Sequence, residues 1–354
     1  MITKKELELL NILSKKPLAK IKELSQILKA DPRTIRRRLT KLKKDRSLLY
    51  VTAQVEYSTL SLLPVLIFFE IPFKSIFKVE KYCDKHPYTR YRVRCLGAFN
   101  GLYTLFSIPQ GTLPFLIEFC DELKERKIIK DYVIYEVINR WYYSEFDFSF
   151  YNYETDVWNF SWDSWERDNI MNITKPKPLK KPLTSILHKI TEKDLLILRE
   201  LSIDSRRLRK DIAKKVNLPL YVLSRRIKFL EENGVIDKYR LVIGGRLARL
   251  FTTIFFICYC PVKVTQLFAS AIQLLPFQAT LLPTYRGFFL QISIPPLHLT
   301  ELGTILQKYC EEVKVLWSDY ASSMKYYFYP DPFLKGTWRA DREFMVEEVL
   351  KDCK

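Results

Sequence analysis

The chain has 354 residues, of which 48% are hydrophobic and 14% aromatic, so it can bury several cores of ordinary domain size and is not a disordered chain. Lys and Arg number 58 against 40 Asp and Glu, a formal net charge of +18. Such a surplus favours a polyanionic partner, either nucleic acid or an anionic membrane surface.

Targeting segments and cysteine chemistry limit where the protein acts and which metals or cofactors it holds. The first residues carry charges where a secretory signal needs an apolar core, and no apolar run is long enough to span a bilayer. Seven scattered cysteines fit neither a disulfide framework nor a zinc pattern. We therefore expect a cytoplasmic protein that does not act at a membrane and holds neither metal nor cofactor.

The first fifty residues have the apolar spacing of three short helices. The apolar triplets are Leu7/Leu10/Leu13, Ile21/Leu24/Leu28 and Ile35/Leu39/Leu42. Asp31 precedes Pro32, a pattern typical of a helix N-cap with proline at the first helical position. The pattern predicts a winged helix-turn-helix domain over residues 1–56.

The pattern of apolar residues changes over residues 57–141. It predicts strands and helices in the order β-α-β-β-α-β, which is the order of a ferredoxin-like α+β domain. The segment 142–189 follows. Its residues 144–168 carry seven acids and one base among many Phe, Tyr and Trp, so they are too aromatic for a solvated tail and we expect them to pack on a domain face. Its Lys175–Pro182 stretch predicts an extended, exposed linker.

The chain then repeats itself. Ile2–Leu10 recurs as Ile190–Leu198, and the offset of 188 holds through the next forty-odd residues. The sequence predicts a second winged helix-turn-helix over 190–246, a second ferredoxin-like domain over 247–329 and a C-terminal extension over 330–354. The fold class is therefore α+β, a tandem repeat of winged helix-turn-helix followed by a βαββαβ domain.

Positive charge is concentrated where a DNA-binding helix would need it. Residues 1–50 hold fifteen Lys and Arg against five acids, and residues 190–243 hold thirteen against eight. When the apolar positions of each third helix face the core, a set of polar side chains points outward, as in a recognition helix that enters the major groove. These candidate DNA-binding residues are Arg33, Thr34, Arg36, Arg37 and Lys41 in the first unit and Tyr221, Ser224, Arg225 and Lys228 in the second. The alternative is a solvated basic face.

The second unit resembles the Lrp/AsnC transcriptional regulators. The resemblance rests on Asp194-Leu-Leu-Ile-Leu-Arg-Glu-Leu, Asp211-Ile-Ala-Lys-Lys-Val and the segment from Ser224 to Tyr239. It implies a βαββαβ effector domain, pairing through the α+β domains, and here an intramolecular pseudo-dimer that binds double-stranded DNA. Self-association of two chains through these domains is a further option.

The resemblance also implies an amino-acid site at a Gly-x-x-Asp turn. The matching positions are Gly97-Ala-Phe-Asn100, which has Asn for Asp, and Pro283-Thr-Tyr-Arg286, which has neither residue. The candidate effector residues are thus Gly97, Asn100 and Arg286, and the absence of the aspartate favours a structural turn over a small-molecule site.

Enzyme motifs are scarce. Nine glycines form no phosphate loop, and no Ser or Cys has a recognisable base partner, so we expect no catalytic residues and no enzyme. Two alternatives stay open. One is a tetrapyrrole enzyme like the siroheme decarboxylases, which share the tandem plan. The other is an architectural protein that coats DNA without sequence preference.

Overall fold

The computed structural model describes residues 3–45, 49–243, 250 and 253–351. The predicted boundary between residues 246 and 247 lies outside them. The first half contains three helices, a strand and a βαββαβ unit. Its elements are α1 (Lys4–Lys15), α2 (Ile21–Ile27), α3 (Pro32–Asp45), β1 (Leu49–Val55), β2 (Leu62–Glu70), α4 (Ile76–Lys85), β3 (Thr89–Gly97), β4 (Gly101–Pro109), α5 (Leu113–Glu125) and β5 (Asp131–Glu136).

An aromatic segment and the second half follow with the same order of elements. The segment contains β6 (Tyr142–Ser144), β7 (Tyr151–Asn152), β8 (Val157–Trp158) and α6 (Trp162–Glu166). The second half contains α7 (Glu192–Asp204), α8 (Arg209–Val216), α9 (Leu220–Glu232), β9 (Ile236–Ile243), β10 (Thr253–Tyr259), α10 (Val262–Ala271), β11 (Ala279–Thr284), β12 (Gly287–Ser293), α11 (Pro296–Tyr309), β13 (Glu312–Lys325), β14 (Phe333–Leu334), β15 (Thr337–Trp338) and α12 (Glu348–Leu350). The predicted α+β class and βαββαβ order are confirmed. None of the described helices is long and apolar enough to cross a membrane.

The two helix-turn-helix units, α1–α3 and α7–α9, begin with the same local device. In each, a threonine hydroxyl accepts the backbone N–H of the third helical residue, whose carboxylate accepts the threonine N–H in return. The pairs are Thr3 with Glu6 and Thr191 with Asp194. This capping box satisfies two of the free N–H groups that every helix start leaves, so it fixes where each unit begins.

The two βαββαβ units join edge to edge in one sheet. Among the described residues its strand order is β5-β2-β4-β3-β13-β10-β12-β11-β6, with β3 and β13 antiparallel at the junction. The sheet curls back on itself, because Val137 after β5 bridges Thr284 of β11 and the chain continues into β6 at the far edge. Its inner face is apolar and aromatic, with Tyr103 contacting Phe255 and Phe289 across the interior.

The two halves exchange partners in the cores. Helices α1–α3 share one continuous apolar core with the second βαββαβ unit, and α7–α9 share another with the first. The strand that follows each third helix pairs with its counterpart, so β1 and β9 form an antiparallel two-stranded ribbon. Each helix-turn-helix unit is thus held by contacts that belong to both halves of the chain.

Two aromatic segments, residues 144–168 and the C-terminal segment, pack outside the sheet. Trp158, Trp162 and Trp165 are buried, and the indole N–H of Trp165 donates to the carbonyl of Ala271 in α10 at 3.1 Å. The C-terminal segment packs on the first half, where the indole N–H of the buried Trp338 donates to the carbonyl of Leu60 at 2.7 Å. The prediction that the acidic, aromatic stretch packs on a domain face is confirmed.

Candidate nucleic-acid interface and central cavity

Helix α3 presents a basic face. Its start is capped as predicted, since the Asp31 carboxylate accepts the N–H of Arg33 at 2.7 Å. Its apolar positions are buried: Ile35, Leu39 and Leu42. The predicted contact residues therefore lie on the outer side: Arg33, Arg36, Arg37 and Lys41 are exposed and Thr34 is half-buried. Lys41 is not free, however, because its ammonium pairs with the buried carboxylate of Glu6 at 3.0 Å.

Helix α9 presents a more neutral face. Its apolar positions are Leu223, Ile227 and Leu230, all buried. Tyr221, Ser224, Arg225 and Lys228 are exposed, as predicted. The Ser224 hydroxyl donates to the carbonyl of Leu220 at 3.0 Å, which leaves its lone pairs available. The two outer faces thus differ in chemistry although their helices occupy equivalent places.

A buried carboxylate anchors each of these helices to the first helix of its unit. Asp194 is fully buried and accepts the Arg226 guanidinium at 2.6 Å, and the guanidinium lies 4.3 Å from the centre of the Phe229 ring. In the first unit the corresponding carboxylate is Glu6, which pairs with Lys41. Burial by itself would raise the pKa of Glu6, but the hydrogen bonds from Thr3 and Lys41 together bring it below its ordinary value.

The two units also contact each other directly. The Arg206 guanidinium, from the turn after α7, donates to the carbonyls of Pro17 and Ala19 in the first unit at 2.7 and 2.9 Å. Lys43 of α3 pairs with Asp204 of α7 at 2.9 Å. Together with the β1–β9 ribbon, these contacts fix the position of α3 relative to α9.

The predicted effector residues lie in two separate turns. Gly97 has φ of +124°, and a Cβ there would lie 2.5 Å from the Val315 carbonyl, so the approach of β13 by itself requires glycine. The Asn100 side chain accepts the Gly97 N–H at 3.4 Å. Arg286 is exposed in the turn between β11 and β12. The geometry at Gly97 is accounted for by strand packing, and amino-acid binding there stays a prediction.

Sequence reasoning missed a cavity of about 260 Å³ between the ribbon and the curled sheet. Its lining is rich in aromatic rings, amides and hydroxyls and contains no Asp or Glu among the described residues. The aromatic members are Tyr50, Tyr91, Tyr103, Trp141, Tyr143 and Tyr320, and the cations are Arg240 and Lys325. We call this space the central cavity. The available signal was the alternation of polar and apolar residues along β1, which marks a strand with two different faces.

The two cations of the central cavity differ in their partners. Arg240 is buried and bonded to Glu145 at 2.8 Å and Thr280 at 3.1 Å. Lys325 has no ion pair among the described residues, and its ammonium donates to the Thr52 hydroxyl at 3.2 Å. The Lys325 side chain is exposed at the edge of the cavity. Its pKa is nevertheless lowered to about 8, first because the surrounding protein excludes water from the ammonium and second because the positive charge of Arg240 lies nearby.

Residues 190–237 match the winged helix-turn-helix DNA-binding family. This match covers α7–α9 and the first residues of β9. The chain therefore contains a winged helix-turn-helix domain. No curated protein matches the chain.

Solved structures resemble it over longer stretches. The siroheme decarboxylase NirDL has 16% sequence identity and a TM-score of 0.56, and the alignment covers 98% of both chains. NirDL in complex with an iron-uroporphyrin III analogue has a TM-score of 0.55 over 96% of this chain and 98% of that one, again at 16% identity. A transcriptional regulator of Neisseria meningitidis in complex with L-Met matches 40% of this chain and 92% of its own, with 16% identity and a TM-score of 0.34. The NirDL likeness shows that the two-unit fold is shared.

The expectation that the chain is not an enzyme is wrong. A solved structure that shares the fold over nearly the whole chain is that of an enzyme, so this fold does not exclude catalysis. The exclusion rested on missing sequence motifs, which report phosphate loops, metal sites and nucleophile–base pairs. A cavity built from strands far apart in the chain leaves no such motif, and the central cavity is of that kind.

Proposed function

We propose that this protein is a transcriptional regulator that binds double-stranded DNA sequence-specifically through two non-identical recognition helices, α3 and α9. The observation that carries the proposal is the pair of exposed helix faces held in fixed relation by the β1–β9 ribbon and the Arg206 contacts. An exposed third helix with a basic or mixed polar face is what enters the major groove in helix-turn-helix proteins.

The two faces imply different tasks. Arg33 and Arg36 occupy the positions that Tyr221 and Ser224 hold in the second unit, whereas Arg37 has an arginine counterpart. The first helix is therefore expected to bind mainly through phosphate contacts and the second through base contacts. A single chain should protect an asymmetric site whose half-sites lie ~10–21 base pairs apart.

The decisive experiment is selection of bound sequences from random DNA, followed by footprinting with the purified chain. An asymmetric preferred sequence is expected, and substitution of Ser224 by Ala should relax preference in one half-site only. A preferred site that is a perfect palindrome contradicts the assignment of two different helices. Equal affinity for selected and competitor DNA supports an architectural role instead.

Salt titration tests the charge of α3 separately. R36Q together with R37Q should make the log–log dependence of affinity on salt shallower by ~0.9 for each DNA phosphate that α3 no longer neutralises. Arg167 is exposed in the aromatic segment, so R167Q is the matched control and should leave the slope unchanged. An unaltered slope in the double variant places α3 outside the interface. Association of two chains stays a prediction that sedimentation can measure.

The central cavity favours a second candidate, an enzyme that acts on a carboxylated tetrapyrrole. Its support is the fold shared with a siroheme decarboxylase and the presence of Arg240 and Lys325 in a cavity without acids among the described residues. Decarboxylation breaks the C–C bond to the carboxylate, releases CO₂ and requires that a proton be delivered to the carbon that keeps the electron pair. Anaerobic incubation with siroheme and mass spectrometry of the tetrapyrrole test this candidate. Bound but unchanged siroheme removes it.

A further inference from the structure

The roof of the central cavity is the ribbon that carries both helix-turn-helix units. Tyr50 and Thr52 of β1 face the cavity, whereas Val51 and Ala53 on the opposite face are buried in the cores of the two helix-turn-helix units. A strand has only two faces, so a displacement of the cavity face is also a displacement of the face that supports the helices. A ligand that fills the cavity therefore contacts the β1–β9 ribbon, against which both helix-turn-helix units pack.

Lys325 links the cavity to helix α7 through one intermediate. Its ammonium donates to the Thr52 hydroxyl, and that hydroxyl donates to the carbonyl of Ser202 in α7 at 2.8 Å. The same ammonium lies 5.4 Å from the centre of the Tyr50 ring and 5.8 Å from that of Tyr327. The ammonium has three N–H donors and gives one to Thr52, so a carboxylate bound to another would draw the ammonium towards the cavity and so act on the contact between ribbon and helix.

The lining indicates the chemistry of an occupant. Six aromatic side chains line the cavity, and hydroxyl and amide groups offer hydrogen bonds. Arg240 already has a carboxylate partner, whereas Lys325 has none among the described residues, so Lys325 is the cation left for an anionic group. A volume of about 260 Å³ lies just below the ~300–1,000 Å³ typical of ligand pockets. One or two fused rings fit entirely, and a larger ring system would extend through the opening.

We propose that the central cavity is an effector site for a planar aromatic carboxylate, which pairs with Lys325, stacks on the tyrosines and weakens DNA binding by acting on the β1–β9 ribbon. The site differs from the Gly97–Asn100 turn. The proposal has two parts: the ligand half is that the cavity binds the carboxylate, and the regulatory half is that this binding weakens DNA binding. Only the regulatory half rests on the proposed DNA binding. The carboxylate can come from a small fused-ring acid or from a tetrapyrrole, and the experiment separates the two.

Calorimetric titration of the full chain with 2-naphthoate, its uncharged amide and iron-uroporphyrin III tests the ligand half. At least one acid should bind, the amide should not, and K325M should lower the affinity of that acid about 10-fold or more. Lys263 is an exposed lysine of α10 outside the cavity lining, so K263M is the matched control and should bind as the unmodified chain does. Binding of iron-uroporphyrin III but not 2-naphthoate identifies the tetrapyrrole source.

DNA binding is measured first without ligand and then with the bound acid at saturation. The DNA dissociation constant should rise at least about 5-fold with ligand, and K325M should abolish this response. Ligand-free protein that does not bind DNA refutes the proposed function but leaves the calorimetric result standing. If neither acid binds, or if the amide binds equally well, the cavity is not an anion site. If ligand binds without changing DNA affinity, the regulatory half is wrong.

Discussion

Removal of the Asp194 carboxylate should loosen the second helix-turn-helix unit far more than the equivalent change loosens the first. Asp194 is fully buried and accepts hydrogen bonds from Thr191 and Arg226, whereas Glu6 pairs with Lys41, whose side chain is 53% exposed. After D194A the Arg226 guanidinium keeps only part of its solvation, because its side chain is 25% exposed. After E6A the Lys41 ammonium is simply hydrated.

The expected magnitudes follow from these exposures. Each variant loses a capping box, which costs about 1 kcal/mol. D194A also leaves a partly buried cation without its partner, so its total cost should be about 3–4 kcal/mol. E6A loses a pair with an exposed lysine, worth at most about 1 kcal/mol, so its total should be about 1–2 kcal/mol.

Native-state hydrogen exchange resolves the two units separately. Amides of α7 and α9 in D194A should lose protection by a factor of about 100 or more, and amides of α1 and α3 in E6A by about 10. D194N keeps the size of the side chain but replaces one accepting oxygen with an NH2 donor, so it removes the charge together with the hydrogen bonds that this oxygen accepts. A destabilisation below about 1 kcal/mol in D194A, or equal destabilisation of the two units, would show that the buried pair does not hold the recognition helix.

Three further predictions concern pH, the aromatic segment and the linker that follows it. Burial lowers the pKa of His86 to about 3 from its ordinary 6.5. Below pH 6.5 the imidazole therefore binds a proton in the unfolded chain but not in the folded chain. The free energy of unfolding should then fall by up to about 1.4 kcal/mol per pH unit between pH 6 and 3, and urea titrations of H86N should lack this component. W165A should destabilise the chain by about 3–5 kcal/mol in urea titrations and expose the segment around α6 to protease, and a loss below about 1 kcal/mol would show that the indole contact with Ala271 is dispensable. Trypsin should cut the native protein first after Lys180, which is exposed outside any helix or strand and, unlike Lys175, Lys177 and Lys181, is not followed by proline. Early cuts after Arg167, next to α6, would contradict this order.

Local patterns were sufficient to predict the elements of the two repeated units, but not the short strands and helices of residues 142–189 and 330–354. The spacing of Ile35, Leu39 and Leu42 gave the buried side of α3, and Asp31 before Pro32 gave its start, because both depend only on neighbours within a few helical turns. The same reasoning placed the exposed residues of α9. It placed Lys41 on the exposed side correctly but gave no sign of its pairing with Glu6, thirty-five residues earlier.

The sequence by itself determined two helix-turn-helix units, the βαββαβ order and the outward faces of the recognition helices. Only the tertiary structure decided that each helix-turn-helix unit packs with the opposite βαββαβ unit, that β1 pairs with β9, and that Lys325 and Thr52 meet across a cavity. The physical reason is that periodicity reports which side of an element is buried but not what buries it. The partners of β1 and of Lys325 lie roughly two hundred residues or more away along the chain, and their pairing is settled by packing over the whole molecule.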